Sequence, residues 1–372
     1  MGKVIAFDKN RLRSKPHATA CTQSLQSQMG LRSNSRIHHF PQKKEIIEVS
    51  VVVLAGGHPH LLSHCLASLL FQQFEASRYE IIVVEDRPNR ATRDIVNDWA
   101  KHASRSGPAL AYIGGHGNEG MAAARNRGWM AARGAIVAFT DEDTVARPDW
   151  LQKGSQALDN EAAQAVWGRV VSPNMLAATS LHPGDTATEK MQPGATSNYF
   201  VRKTVLNEVG GFDERFKFAW GEEADLYFRL SSQRMRVVHY SQAIVTRPSQ
   251  TAGFSHSLVA QRNHQAEVLL SKKHPQLYRQ KMQQTPYAQA HLVTLALMLT
   301  LAFAAAGASL LAIACAALWI AFTLHLWSRR QWNAAERTLP RLFISVCIAL
   351  LTPPLTAFWH AIAWLRFRRI TA

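Results

Sequence analysis

The sequence predicts an α/β domain built on a mostly parallel sheet with flanking helices, continued by C-terminal transmembrane helices. Three observations carry that prediction. Short β-branched runs alternate with stretches of helical apolar spacing, which implies parallel pairing through right-handed crossovers. One such run delivers the acidic group Asp141-Glu142-Asp143 to a strand end, where ligands of these sheets bind. Two long apolar runs, Val293 to Trp327 and Leu342 to Leu365, close the chain.

Composition bounds the answer. With 372 residues and a 47% hydrophobic content, the chain has material for one large α/β domain plus extras and is not a disordered protein. A formal charge of +16 asks for an anionic partner or surface. Basic residues gather in the first 44 positions, around the apolar C-terminal runs and in a helix ending Lys272-Lys273-His274, with no recognition helix, RNA-binding aromatic pair or Cys/His finger beside them. A membrane face is therefore the preferred partner, and nucleic acid is not expected. Cys21, Cys65, Cys315 and Cys347 lie far apart and read as free thiols in a reducing compartment. No His-Glu-X-X-His spacing supports a zinc hydrolase.

In chain order, residues 1–44 form a basic cytosolic tail, too polar for a core and without a signal peptide's continuous apolar stretch. Residues 45–285 form the α/β domain. Val49 to Leu54 is continuous and β-branched, as a strand buried on both faces should be. Gly56-Gly57 turns the chain, and Leu61, Leu62, Cys65, Leu66, Leu69 and Leu70 fall at helical spacing. Tyr79 to Val84 repeats the strand and ends in Glu85-Asp86, and Ala91 to Ala100 repeats the helix. The loop from Gly117 to Asn126 opens a helix of small residues, where backbone can approach a phosphate and Arg125 offers a fork to an anionic oxygen. A tightly packed core helix is the plainer reading of that stretch.

Ile136 to Thr140 is the next strand, and beyond it Asp141 and Asp143 share one side of an extended segment while Glu142 turns off. At roughly 5 Å and an effective dielectric near 20, the pair repels by about 3 kcal/mol, a cost that a divalent ion bound with substrate phosphates reverses. Alone, such a pair reads as a solvated acidic turn. Its convergence with Glu85 and Asp86 at the sheet's carboxyl edge points instead to a nucleotide site, with an acid after the second strand on a base or ribose hydroxyl and Asp143 on a metal at the diphosphate.

The succession Asn118-X-Gly120, Ala123-Ala124-Arg125-Asn126-X-Gly128, Ala132-Arg133-Gly134, Phe139-Thr140-Asp141-Glu142-Asp143 and Pro148-X-Trp150-Leu151 resembles the donor half of glycosyltransferase family 2. Gly194 to Lys203, Gly210-Gly211-Phe212-Asp213 and Trp220-Gly221-Glu222-Glu223-Ala224-Asp225 resemble its acceptor half. The likeness runs from about Val49 to Arg247. It implies the GT-A fold, Rossmann-like, and inverting transfer of a sugar from a nucleotide-diphosphate sugar. Asp143 and Asp141 would hold Mg²⁺ or Mn²⁺, with Glu85, Asp86, Arg125 and Asp141 toward the donor and Trp220 and Asp225 toward the acceptor. Glu223 stands where the family usually carries its catalytic Asp and is the expected base, with Glu222 beside it. Acids that merely complement a helix dipole are the plain alternative for both.

Three stretches depart from the family pattern. Leu54-Ala55-Gly56-Gly57-His58 and Glu85-Asp86-Arg87-Pro88 replace the usual base-contacting sequences, and near Val245-Thr246-Arg247 only His239 and His256 are at hand, so no third metal ligand is assigned. Gln261-Arg262-Asn263-His264 lacks the Trp of chain-extending members, which disfavours processive synthesis.

Residues 286–372 form the membrane anchor. The first apolar run would measure about 52 Å as one helix, too long for one comfortable span, so Gly307-Ala308-Ser309 is expected to turn a hairpin and Pro353-Pro354 to kink or break the second run. Cytosolic nucleotide sugars and the positive loop residues Arg329, Arg330, Arg337 and Arg341 place the catalytic domain on the cytosolic side of an inner, or plasma, membrane crossed more than once. The expected acceptor is a membrane lipid or lipid-linked glycan. The rival readings are a nucleotidyltransferase, against which Leu54 to His58 offers no Arg or Lys, and an inactive membrane scaffold of transferase descent. The oligomeric state is not legible.

Overall fold

Continuous runs of β-branched residues become the centre of one eight-stranded sheet. The structure, a computed structural model, describes residues 46–103, 106–171, 196–217, 221–247, 260–281, 287–331 and 339–369. The basic tail, the 285/286 domain boundary and Trp220 lie outside the described residues.

Strands β1 (Val49–Ala55) and β2 (Tyr79–Glu85) are buried along their whole length. Helix α1 (Pro59–Leu70) joins them, and α2 (Arg90–Ala103) leads on to β3 (Ala109–Gly114). The three strands pair in parallel in the order β3-β2-β1, and after α3 (Met121–Ala131) the chain places β4 (Ile136–Asp141) parallel to β1 on its other side. The direction of winding therefore reverses between β1 and β4, which opens a crevice at their carboxyl ends. Register puts Leu54 beside Asp141 and Ala55 beside Glu85 at that edge.

Beyond β4 the pairing changes. The short β5 (Val145–Ala146), helix α4 (Trp150–Asn160), β6 (Ala165–Val171), β7 (Tyr199–Arg202), α5 (Lys203–Val209), α6 (Glu222–Ser232) and β8 (Val237–Thr246) complete the sheet as β4-β7-β6-β8-β5. Here β7 runs antiparallel to β4 and β6, and β6 pairs in parallel with β8. Side chains alternate across β1, so Val51 and Val53 enter a core with Leu62, Leu66 and Trp150, while Val52 and Leu54 enter a second core with Ala124, Phe139 and Leu226. Helix α3 lies directly on the second face because Gly128 has no side chain. A Cβ there would stand 2.5 Å from Val52 and 2.9 Å from Val84.

After α7 (His264–Lys273) and α8 (Pro275–Lys281) come α9 (Tyr287–Ala305), α10 (Ser309–Gln331) and α11 (Leu339–Arg366). The expected hairpin is present between α9 and α10, with Gly307 in the left-handed region at φ 73°. Ser309–Ser328 and Phe343–Arg366 are long and apolar enough to cross a membrane.

Of the two outcomes expected at Pro353-Pro354, a kink or a break, the break does not occur: α11 continues through both prolines. Two amide donors are lost there, and just beyond them Thr356 Oγ1 lies 2.9 Å from both Thr352 O and Gln261 Oε1, which ties this part of the helix to the segment before α7. The second half of α11 lies along α7. The Arg262 guanidinium faces the Trp359 ring and the Lys272 ammonium the Trp364 ring, each 5.4 Å from the centroid, and Lys272 Nζ donates to Phe367 O at 3.0 Å.

Candidate active site

Helix α3 reaches the crevice with Arg125 because its next residue is stapled in place. Asn126 Nδ2 donates to Phe212 O, its Oδ1 accepts from Phe212 N, and Trp129 Nε1 donates to the same Oδ1. Gly211, at φ 69°, is required beside it, since a Cβ would sit 2.6 Å from Asn126 Oδ1. The spacing of Arg125-Asn126 and Gly210-Gly211-Phe212 in the sequence is thus one interlock in space.

Arg125 is almost fully buried and gathers three acids. Its Nη1 donates to Glu222 Oε1 at 2.6 Å, and its Nη2 reaches Asp141 Oδ1 at 3.1 Å and Glu223 Oε1 at 3.5 Å. Burial pulls the Arg125 pKa down, but the charges of Asp141, Glu222 and Glu223 more than reverse this and leave it raised. Burial pushes the Glu222 carboxyl up against the opposing charge of Arg125, and among the described residues its Oε2 is buried without a partner. Glu222 is 1% exposed at its side chain, against 19% for Glu223. Both acids start α6, which Gly221 enters at φ 95°.

The extended segment expected here is not found: β4 ends at Asp141 and Asp143 lies in the turn that follows, and it is Arg247, bridging the two carboxylates, that brings them to one side. Its Nη2 lies 2.7 Å from Asp141 Oδ2 and its Nε 3.0 Å from Asp143 Oδ1. Burial raises the Asp143 carboxyl, with Arg247 opposing. Thr144 caps the turn by donating to Asp141 O at 2.8 Å. Glu142 turns off, is buried, and holds the β1–α1 loop through the His58 ring and backbone nitrogens at 2.7 and 3.2 Å.

The remaining sequence candidates are held by the fold. Glu85 is 4% exposed, and its oxygens accept from Tyr112 Oη, Thr92 Oγ1 and Asn89 N, so it braces the β2–α2 turn instead of facing open space. Asp86 accepts from the backbone nitrogens of Asn118, Glu119 and Gly120 and shapes the glycine loop. Asp225 is fully buried. It pairs with Lys273 at 2.6 Å, His274 at 2.9 Å and Arg229 at 2.8 Å, tying α6 to α7. These three were expected to meet donor or acceptor, and the structure gives them supporting partners. Arg247 and the His58–Glu142 pair are the site features that the sequence reading missed. A basic residue just past a strand end level with Asp143 was the available signal for Arg247, but only the 104-residue closure reveals it.

A hard divalent cation suits this site. Asp141 and Asp143 offer oxygen ligands, and the four carboxylates 141, 143, 222 and 223 face two guanidiniums, a deficit of two charges when all are ionised. Among the described residues no three His, Cys, Asp or Glu side chains form a ready cage, so diphosphate and water oxygens would complete the shell.

The family model for glycosyl transferase family 2 matches residues 50–212, and that for glycosyl transferase family group 2 matches residues 136–360. The glycosyltransferase AglE of Haloferax volcanii is 28% identical over 172 residues, 44% of this chain and 55% of that one. A glucosyl-dolichyl phosphate glucuronosyltransferase of the same organism is 25% identical over 225 residues, 54% of this chain and 68% of its own length. This chain therefore spans about half to two thirds of these relatives. A mannosyltransferase from Pyrobaculum calidifontis, solved with GDP-Man and Mn²⁺, superposes with a TM-score of 0.54 at 17% identity over 91% of this chain and 94% of its own, which establishes a shared fold.

Proposed function

Because the chain belongs to glycosyl transferase family group 2, we propose that it moves a sugar from a nucleotide-diphosphate sugar to a hydroxyl of a membrane-associated acceptor, a lipid or lipid-linked glycan, with inversion. The observation that carries this reading is Arg125, whose one guanidinium joins Asp141 of the nucleotide edge to Glu222 and Glu223 of α6.

Glu223 acts as base. Its carboxylate takes the acceptor hydroxyl's proton as the oxygen bonds to the anomeric carbon, and on the opposite face the bond to the diphosphate breaks with its electron pair. Glu222 is too deeply buried and too firmly paired for that role, and it positions Arg125. Asp143 and Asp141 would hold Mg²⁺ or Mn²⁺, which offsets the charge of the departing diphosphate. Arg125 fixes Asp141 and Glu223 at a set separation, so donor and base are aligned before the acceptor arrives.

A membrane-held acceptor is supported by the cluster in which Ala224 and Phe228 of α6 pack with Ala266 and Leu270 of α7 and with Ala363 and Phe367 at the end of α11. The helix that carries Glu223 is thus one packing layer from an apolar helix of membrane-crossing length. Glu223→Gln should retain donor affinity while kcat falls by about 10²–10⁴-fold. Full turnover in that variant would remove the base from Glu223.

A further inference from the structure

Arg247 stands where a cation ligated by both aspartates would stand. Its guanidinium bridges Asp141 and Asp143 at 2.7 and 3.0 Å, and among the described residues no other cation pairs with Asp143. Its backbone is anchored, since its N–H donates to Val171 O at 2.8 Å, while the side chain is 36% exposed. A divalent ion on the same carboxylates needs the lone pairs that the fork uses and is repelled by a guanidinium at contact distance.

We propose that Arg247 closes the acidic pair until a nucleoside diphosphate arrives and then turns its fork onto the diphosphate, so that metal binding is conditional on nucleotide. This rests on the reading of the crevice as a nucleotide-diphosphate-sugar site. Phosphate oxygens accept the guanidinium fork as carboxylates do and carry more charge. Without nucleotide, guanidinium and metal are rivals for two aspartates. With it, both neutralise one diphosphate, and the coupling between metal and nucleotide becomes positive.

The test is Mn²⁺ binding to the full chain in detergent, read from the electron paramagnetic resonance of free Mn²⁺, for wild type, Arg247→Gln and Arg247→Lys, alone and with saturating GDP, UDP or dTDP. Nucleotide should tighten Mn²⁺ binding to wild type by at least about tenfold, Arg247→Gln should bind Mn²⁺ alone about tenfold more tightly than wild type, and its coupling to nucleotide should fall below about threefold. Arg247→Lys, a point charge that cannot bridge both carboxylates, should fall between them. Equal nucleotide-free affinity in wild type and Arg247→Gln overturns the proposal, as does no Mn²⁺ binding in any protein under any condition. Circular dichroism and thermal midpoints verify folding, and Arg247→Lys carries the comparison if the Gln variant does not fold. If no nucleoside diphosphate raises a thermal midpoint, the donor reading fails, while the nucleotide-free comparison still decides the role of Arg247.

Discussion

Arg125 shows what one residue does for this site. The sequence marks it as a cation near a phosphate loop, but its partners lie 16, 97 and 98 residues away, so no local pattern predicts that it holds carboxylates together. Among the described residues, removing it would leave Glu222 buried without a counter-charge, and Glu222 Oε2 already has no partner there. Arg125→Met should therefore destabilise the protein by about 3–5 kcal/mol in chemical denaturation, and Arg125→Met with Glu222→Leu should recover part of that loss. Glu85 and Asp86 teach the converse lesson. Their place after a strand was legible, yet the hydroxyls and amides that occupy them come from Tyr112, Thr92 and the 118–120 loop, and such closures leave no trace in spacing.

At the scale of elements, β1, β2 and α1 were readable because burial on both faces enforces continuous apolar runs. Strands β6 and β8 were not. Their burial is mixed along their length, and they pair across some seventy residues with a register shift between Trp167 and Arg169. The seat of α3 depends on Gly128, and Gly128→Ala should cost about 1–3 kcal/mol because the methyl meets Val52 and Val84, measurable as a lowered denaturation midpoint.

The α6–α7 joint adds a pH dependence. Burial works to raise the Asp225 carboxyl, but the His274 hydrogen bond and the charges of Arg229 and Lys273 overcome it and hold the pKa below the ordinary 3.8. A depressed carboxylate contributes stability that is present above its unfolded pKa and lost as pH falls through the folded one. The joint should thus hold above about pH 4 and weaken below it. Glu222 and Asp143, raised by burial, act in the opposite sense, so the informative quantity is the difference between wild type and Asp225→Asn. That difference should shrink as the pH of thermal unfolding is lowered from 7 toward 3, and a constant difference would contradict the account.

For the whole molecule, the charge of +16 and the apolar end of the chain point the same way. The chain turns between α9 and α10 where the glycine predicted it, yet the proline pair does not interrupt α11, because a proline pattern reports lost donors and cannot report the neighbours packed along the helix. Trp359 and Trp364 under Arg262 and Lys272 suit the polar boundary of a bilayer, on the side of the catalytic domain. Because Phe367 is held by Lys272 of α7, we expect a cysteine placed at residue 368, in a background without other cysteines, to be labelled by impermeant maleimide only when the cytosolic face is open. An unbroken α11 that crosses the bilayer then puts its Arg341 end on the opposite side, against the sequence expectation for that loop. Labelling from the opposite face would reverse the orientation proposed for an inner-membrane enzyme.

The most direct measurement is a titration of nucleotide-diphosphate sugars, with and without Mn²⁺, onto wild type and Asp143→Ala, followed by thermal midpoint. Binding energy that depends on Asp143 and Mn²⁺ together should raise the wild-type midpoint with at least one donor and leave Asp143→Ala unmoved. A donor that stabilises both proteins equally, with or without the ion, would contradict the assignment of the acidic pair to the diphosphate.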